Sequence, residues 1–144
     1  MFRPGRRFFS AASIGLLLVA AVHTLASIAP PPDDVATRTL RAVMDAYRYQ
    51  LGLGWTPSAS DVTDSLSLTI SVLLALLGLQ NLAVARAAGA SDALVSLLCL
   101  LGALGVGGLV VLYAVYRILP PLLMLGAVEV LFLLGLARRG RPST

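Results

Sequence analysis

Four long apolar stretches alternate with short polar segments along this chain. They cover about residues 8–29, 65–85, 93–117 and 121–137, and each is close to the roughly 20 residues that an α-helix needs to cross a bilayer. Prolines or arginines lie beside every stretch. The pattern predicts an all-α fold, a four-helix transmembrane bundle that forms a single membrane domain over residues 1–144.

The segment between the first two spans predicts a fifth helix over about residues 33–51. Pro30–Pro32 stops the first span, and Asp33 and Asp34 can cap the new helix. Apolar side chains recur on one face and charged side chains on the other: Val35, Leu40, Val43, Met44, Tyr47 and Leu51 against Arg38, Arg41, Asp45 and Arg48. Because it is charged at every turn, this amphipathic helix cannot span, and we expect it to lie flat in the membrane interface.

Local spacing predicts further details of this segment. Asp34 with Arg38, and Arg41 with Asp45, are placed for ion pairs one turn apart. The glycines that follow residue 51 should end the helix, and Trp55 should anchor it at headgroup level.

The first span has a second interpretation, a cleaved signal peptide. Ser27-Ile28-Ala29 resembles a cleavage site, and Arg6-Arg7-Phe8-Phe9 resembles a twin-arginine export signal. However, Pro30 follows the cut position, where proline generally blocks the peptidase, and the apolar region exceeds the usual length of about 7–15 residues. We therefore expect an uncleaved helix.

Composition argues against a soluble enzyme and against a nucleic-acid-binding protein. The chain is 58% hydrophobic and 12% charged, which is far from the composition of soluble domains. Its basic residues are all arginines, and they are scattered among the segments that flank the spans. The single cysteine, Cys99, cannot build a disulfide or a thiolate metal site. We expect no metal and no cofactor, and the absence of a catalytic motif disfavours enzymatic activity.

The arginines also predict the orientation of the chain. Four spans place both termini on one side of the membrane. That side carries Arg3, Arg6, Arg7, Arg86, Arg138, Arg139 and Arg141, and the other carries Arg38, Arg41, Arg48 and Arg117. By the positive-inside rule the richer side is cytoplasmic. We expect an integral protein of the cytoplasmic (plasma) membrane with both termini cytoplasmic and the amphipathic helix outside.

Small residues predict where the helices approach one another. The second span should begin at a capping box over residues 58–61. One line of it then carries Asp64, Ser67, Ser71, Ala75 and Gly78, and the third span contains Gly102, Gly105, Gly107 and Gly108. Because small side chains let helix backbones approach closely in lipid, both features favour a tight bundle.

Two ionisable side chains inside the spans are candidates for function, because such groups are costly in lipid and normally face the bundle interior. Counted at 1.5 Å per residue from the outer helix ends, His23 lies roughly 9 Å deep and Glu129 roughly 12 Å deep. We therefore expect the two to be neighbours. A carboxyl of Glu129 that shares a proton with His23 would form the polar centre of a pocket. A hydrogen bond that only satisfies two buried groups is the structural alternative.

Four more residues complete the candidate ligand-binding set at the outer side. Asp64 opens the second span, and Tyr113, Tyr116 and Arg117 end the third. Each has a structural alternative, since Asp64 can cap a helix and the tyrosines can anchor the chain at the interface.

A family resemblance rests on three of these segments: Val22-His23-Thr24-Leu25 in the first span, Ala42-Val43-Met44 through Tyr49 in the amphipathic helix, and Asp64 before the second span. They resemble an uncharacterised family of small bacterial four-helix membrane proteins, which also has a His-Thr in helix one and an Asp opening helix two. Val62-Thr63 stands here where that family has an aromatic pair. The resemblance implies a four-helix fold in the bacterial inner membrane and no particular activity.

A more distant resemblance is to the emopamil-binding and sigma-2-receptor class of helical bundles. Those proteins hold an amphipathic ligand among intramembrane acidic and histidine residues, and here His23 and Glu129 match by residue type. The resemblance implies a ligand pocket. Carrying over sterol isomerase chemistry would require a second deep carboxylate, which this sequence does not offer.

Two functions therefore remain open from the sequence. In the first, an apolar or amphipathic small molecule or lipid enters from the outer leaflet and meets His23 and Glu129 under residues 33–54. In the second, the chain is a structural or accessory subunit whose glycine-rich third span docks a membrane protein partner or another copy of itself. Membrane lipids are expected partners in both, and nucleic acid in neither.

Overall fold

The computed structural model describes residues 4–50, 52–87 and 91–138. The helices are α1 (Pro4–Ile28), α2 (Val35–Ala46), α3 (Ala59–Arg86), α4 (Asp92–Val115) and α5 (Leu119–Ala137). All except α2 are long and apolar enough to cross a membrane. The predicted all-α, four-helix transmembrane fold is confirmed, and it is the architecture of a multi-pass membrane protein. Arg3, Leu51, Arg139 and Arg141, which entered the sequence predictions, lie outside the described residues.

Three spanning helices begin earlier than the apolar pattern predicts, α1 at Pro4, α3 at Ala59 and α5 at Leu119. α3 starts at the capping box: the Ser58 side chain accepts a hydrogen bond from the Asp61 backbone N–H at 3.1 Å, and the Asp61 carboxylate accepts one from the Ser58 N–H at 2.8 Å. α5 includes Pro120 and Pro121 in its first turn. Proline is tolerated there because the first N–H groups of a helix have no intrahelical partner.

The amphipathic helix α2 is shorter than the predicted 33–51, because the chain leaves the helix to pair with the segment before α3. After Ala46 the backbone extends, with Tyr49 N–H donating to the Pro57 carbonyl and Ala59 N–H donating to the Tyr47 carbonyl, both at 3.0 Å. The glycines that follow have positive φ and form a turn between these paired segments. The expectation that they end the helix is wrong.

Capping also replaces one of the predicted ion pairs on α2. The Asp34 carboxylate accepts hydrogen bonds from the backbone N–H and the hydroxyl of Thr37, each at 2.8 Å. These bonds stabilise the carboxylate and hold the pKa of Asp34 below its usual value. Arg38 pairs instead with Asp33, with Nη1 3.6 Å from Oδ1.

α2 lies beside the start of α3 with its apolar face uncovered. Arg41 reaches α3 rather than the predicted Asp45, and its Nη2 lies 3.3 Å from Oδ2 of Asp64. Val43 is 61% exposed and Tyr47 59% exposed, and no described residue of α2 is fully buried. An uncovered apolar face on a short charged helix is typical of a helix that lies in a membrane interface.

α1 is the central helix of the bundle. It packs most extensively against α3 and then against α5, and α5 in turn packs against α4. α3 and α4 touch only sparsely, and within the described chain no Cα atom of α3 lies within 8 Å of a Cα atom of α5. The helices therefore follow the order α3, α1, α5, α4 around the bundle, and the side between α3 and α4 is left nearly open.

Glycines set the register between neighbouring helices. An ideal Cβ on Gly78 of α3 would lie 2.9 Å from the Ser13 carbonyl oxygen and from Leu17 Cγ of α1. Gly15 of α1 meets Val128 of α5 in the same way, with Cγ2 at 2.8 Å. These contacts pack α1 against both neighbours at backbone distance, in antiparallel register, as glycines do in membrane helix pairs.

The bundle is packed more densely at one end than at the other. We call the end at which α1 finishes and α3 begins the α2 end. Fully buried side chains reach only to Ala20 on α1 and to Val106 on α4, and on α5 they begin at Leu125. Nearer the α2 end, these three helices carry only half-buried and exposed residues. Most of the site residues predicted from the sequence therefore lie in the loosely packed part of the bundle.

We predict that a methyl group is tolerated at one glycine and not at another. Gly78→Ala should lower the free energy of unfolding by about 1–3 kcal/mol, because the added Cβ meets a backbone oxygen that cannot move aside. Gly105→Ala is the matched control, because no heavy atom lies within 4 Å of its Cβ position, and it should stabilise by about 0.5–1 kcal/mol. Thermal unfolding of both variants in detergent measures the difference. Equal effects would mean that α1 and α3 do not meet at Gly78.

Candidate functional site

The predicted contact between His23 and Glu129 is not formed. α1 and α5 do pack together as that prediction required, but the contact of Gly15 with Val128 puts Glu129 level with the middle of α1. His23 lies eight residues farther along α1, so the two levels are separated by about 12 Å at 1.5 Å per residue. Within the part of the chain that the structure describes, neither His23 Nε2 nor Glu129 Oε2 has a hydrogen-bond partner.

The error comes from where the helices begin. The depth count took the outer ends of α1 and α5 to be level with each other. In the structure α1 extends past the start of α5, because the register fixed at Gly15 and Val128 leaves the end of α1 beyond Leu119. A depth counted from each helix end separately does not include this offset.

Glu129 lies against α4 rather than against α1. Its Oε1 is 3.4 Å from the position that a Cβ of Gly107 would occupy, and its Oε2 is buried without a partner. The glycine leaves room for the carboxyl between the two helices. Glu129 lies beside the middle of α1. In a bilayer, the middle of a spanning helix is where an unpaired charge is most costly.

His23 occupies the loosely packed half of the bundle. It continues the line of buried residues on α1 that includes Leu16 and Ala20, and its Nε2 is buried without a partner. Counting along α1 and α3 from the contact at Gly78 places His23 level with Ser71. The Ser71 hydroxyl, itself buried, donates to the backbone carbonyl of Ser67 at 3.3 Å.

The other predicted site residues divide into two groups. Tyr113 is half-buried, packs against the core, and lies within about one helical turn of the level of His23, counted from Gly107. Tyr116 is 68% exposed and faces away from the bundle. The predicted set therefore converges in part: His23 and Tyr113 share one level, and Glu129 lies deeper.

Arg117 and Asp64 act locally at the α2 end. Arg117 adopts φ 56°, the left-handed conformation that ends a helix, and Ile118 N–H then donates to the Tyr113 carbonyl at 2.9 Å. Asp64 is exposed and pairs with Arg41, so it joins α2 to α3.

Sequence reasoning missed two polar features. Asn81 is 2% exposed, and its Nδ2 has no hydrogen-bond partner. It follows Gly78 by three residues on the small-residue line of α3, so extending that line by one turn would have found it. The second feature is a cavity of about 310 Å³ on the polar face of α2, which includes Arg38 and Asp45 in its lining. This cavity forms where residues 31–33 fold against α2. The spacing of residues in the sequence does not predict that fold.

Comparisons of the chain with protein-family models, with curated proteins and with solved structures found no match.

We predict that Glu129 does not stabilise the fold. Because Oε2 has no partner, Glu129→Leu should raise the free energy of unfolding by about 1–2 kcal/mol, and Glu129→Gln should leave it nearly unchanged. Thermal unfolding in detergent measures both. A loss of stability in the Leu variant that the Gln variant does not share would indicate a hydrogen bond to the carboxyl, as a pair with His23 would require.

Proposed function

We propose that this membrane protein binds an amphipathic, lipid-like molecule in the half of the bundle near the α2 end, between α3 and α4, with the polar group of the molecule at His23. The observation that carries the proposal is the buried Nε2 of His23, which has no protein partner, in a region where packing has loosened. In lipid an unmatched polar atom costs several kcal/mol, and a ligand hydroxyl or carbonyl would satisfy it.

The surroundings of His23 fit such a molecule. Ser71 of α3 is level with His23, and Tyr113 of α4 lies close to the same level, so three polar side chains occur within about one helical turn of one another. Ile70, Val110 and Met124 are half-buried against the core at the α2 end and would contact the apolar part. The open side between α3 and α4 supports entry from the lipid.

The orientation of the site rests on the arginines. With both termini cytoplasmic, as the positive-inside rule favours, the α2 end faces outward and the molecule would come from the outer leaflet. The membrane in question would then be the cytoplasmic membrane.

A second function, an accessory subunit, is favoured by one observation. Gly105 and Gly108 of α4 and Gly126 of α5 have no heavy atom within 4 Å of their Cβ positions. Each is a small-residue position with open space beside it, at which the backbone of a spanning helix of another protein or of a second copy could approach closely.

Native mass spectrometry of protein extracted in mild detergent tests the proposal. We expect the wild-type chain to carry an additional mass in the lipid range, and His23→Ala to lose most of it, because the ligand's polar group loses its partner. Ser96→Ala is the matched control, since Ser96 Oγ is also buried without a partner but lies near the opposite end of α4.

Equal retention of the mass in both variants would contradict a site at His23. An additional mass in the range of a polypeptide, with no small molecule bound, would favour the accessory subunit instead.

A further inference from the structure

The cavity on the polar face of α2 is separate from the proposed site at His23. Its volume is about 310 Å³. Pro31 and Pro32 form one wall, and their fixed backbone angles make that wall rigid. The other wall is the polar face of α2. The whole cavity therefore belongs to one short stretch of chain and is in place without a partner.

Along the wall of this cavity two arginines lie between two aspartates. Arg38 and Arg41 lie one turn apart on the cavity wall, with Cβ atoms about 5–6 Å from each other. Nη2 of Arg41 pairs with Asp64 at 3.3 Å, so an anion between the two guanidinium groups would bind their remaining N–H groups. Asp45 follows Arg41 by one turn, and it has no ion pair among the described residues. Asp33 lies at the other end and pairs with Arg38 at 3.6 Å.

The uncovered apolar face of α2 favours a position of this helix and its cavity in the membrane interface. Leu40 and Val43 are each 61% exposed, and Trp55 nearby is 73% exposed. These side chains are stable in the boundary between headgroups and acyl chains, which leaves the opposite, polar face of α2 at the level of the lipid phosphates. A cavity on that face opens where phosphate groups are most concentrated.

We propose that this cavity binds a phosphate group that carries a primary ammonium group two carbons away, the chemistry of a phosphoethanolamine headgroup. Arginine binds phosphate through parallel N–H···O bonds, and the wall contains two arginines, Arg38 and Arg41. A carboxylate one turn farther along, at Asp45, accepts hydrogen bonds from an ammonium group. A quaternary ammonium has no N–H to donate, and a glycerol headgroup has no cation, so neither matches Asp45.

The two charged ends of the cavity predict which lipids are bound. In native mass spectrometry with equal amounts of phosphatidylethanolamine, phosphatidylcholine and phosphatidylglycerol of the same chain length, phosphatidylethanolamine should be retained in severalfold excess over each of the others. Arg38→Gln should reduce all binding at this site. Asp45→Asn should remove the preference for phosphatidylethanolamine while leaving phosphate binding in place.

Arg48→Gln is the matched control. Arg48 lies on the same segment but outside the cavity, with Nη1 3.8 Å from Asp61 Oδ2 and 3.3 Å from the Thr56 carbonyl oxygen. It should bind lipid as the wild type does. His23→Ala should reduce the total amount of bound lipid, but the lipid that remains should keep the preference for phosphatidylethanolamine. A failure at one site is therefore distinguishable from a failure at the other.

A soluble competitor distinguishes a lipid headgroup from a soluble phosphoethanolamine compound as the ligand of this cavity. Glycerophosphoethanolamine added to the same mixture should displace little lipid, because without acyl chains it is not concentrated at the interface. Displacement at low concentration would assign the cavity to a soluble phosphoethanolamine compound and overturn the membrane source. Equal retention of the three lipids, or wild-type binding by Arg38→Gln, would overturn the site itself.

Discussion

The close approach of α1 to α3 at Gly78 is the constraint on which the rest of the bundle depends. Apolar side chains gain nothing by leaving lipid for another apolar surface, so helices in a membrane associate by van der Waals contact at short backbone distance. Gly78 permits that contact on one side of α1, and Gly15 permits the corresponding contact with α5 on the other. With α1 held between two neighbours, α4 packs mainly on α5, and the side between α3 and α4 stays nearly open.

The same register decides which polar atoms lack partners. It places His23 where packing loosens toward the α2 end, and it places Glu129 beside Gly107 near the middle of the bundle. The buried atoms His23 Nε2 and Glu129 Oε2 therefore receive no hydrogen bond from the described residues. Because an unmatched polar group in lipid costs several kcal/mol, such atoms are stable only when a ligand, a water molecule or a proton satisfies them.

The four spanning helices could be predicted from the sequence because hydrophobic length alone distinguishes a membrane-spanning helix, and the small-residue line through Gly78 correctly marked one packing face. The register of α1 with α5 could not be predicted from the sequence, because it depends on side-chain shapes at a single contact. The predicted end of α2 was wrong because residues 47–50 form backbone hydrogen bonds with the segment before α3. Helical periodicity in the sequence does not indicate such a pairing. Among the predicted site residues, His23 and Tyr113 lie close to one level, and the predicted contact of His23 with Glu129, which relied on depth, is not formed.

Cysteine cross-linking in native membranes tests this arrangement most directly, in a Cys99→Ala background. The Cβ position of Gly15 lies 3.9 Å from Val128 Cβ, which matches the separation of about 3.5–4.5 Å in a disulfide. The pair Gly15→Cys with Val128→Cys should therefore oxidise rapidly. Ile70→Cys with Tyr113→Cys, on α3 and α4, which touch only sparsely, should not. Efficient cross-linking of the second pair and none of the first would contradict both the central position of α1 and the open side.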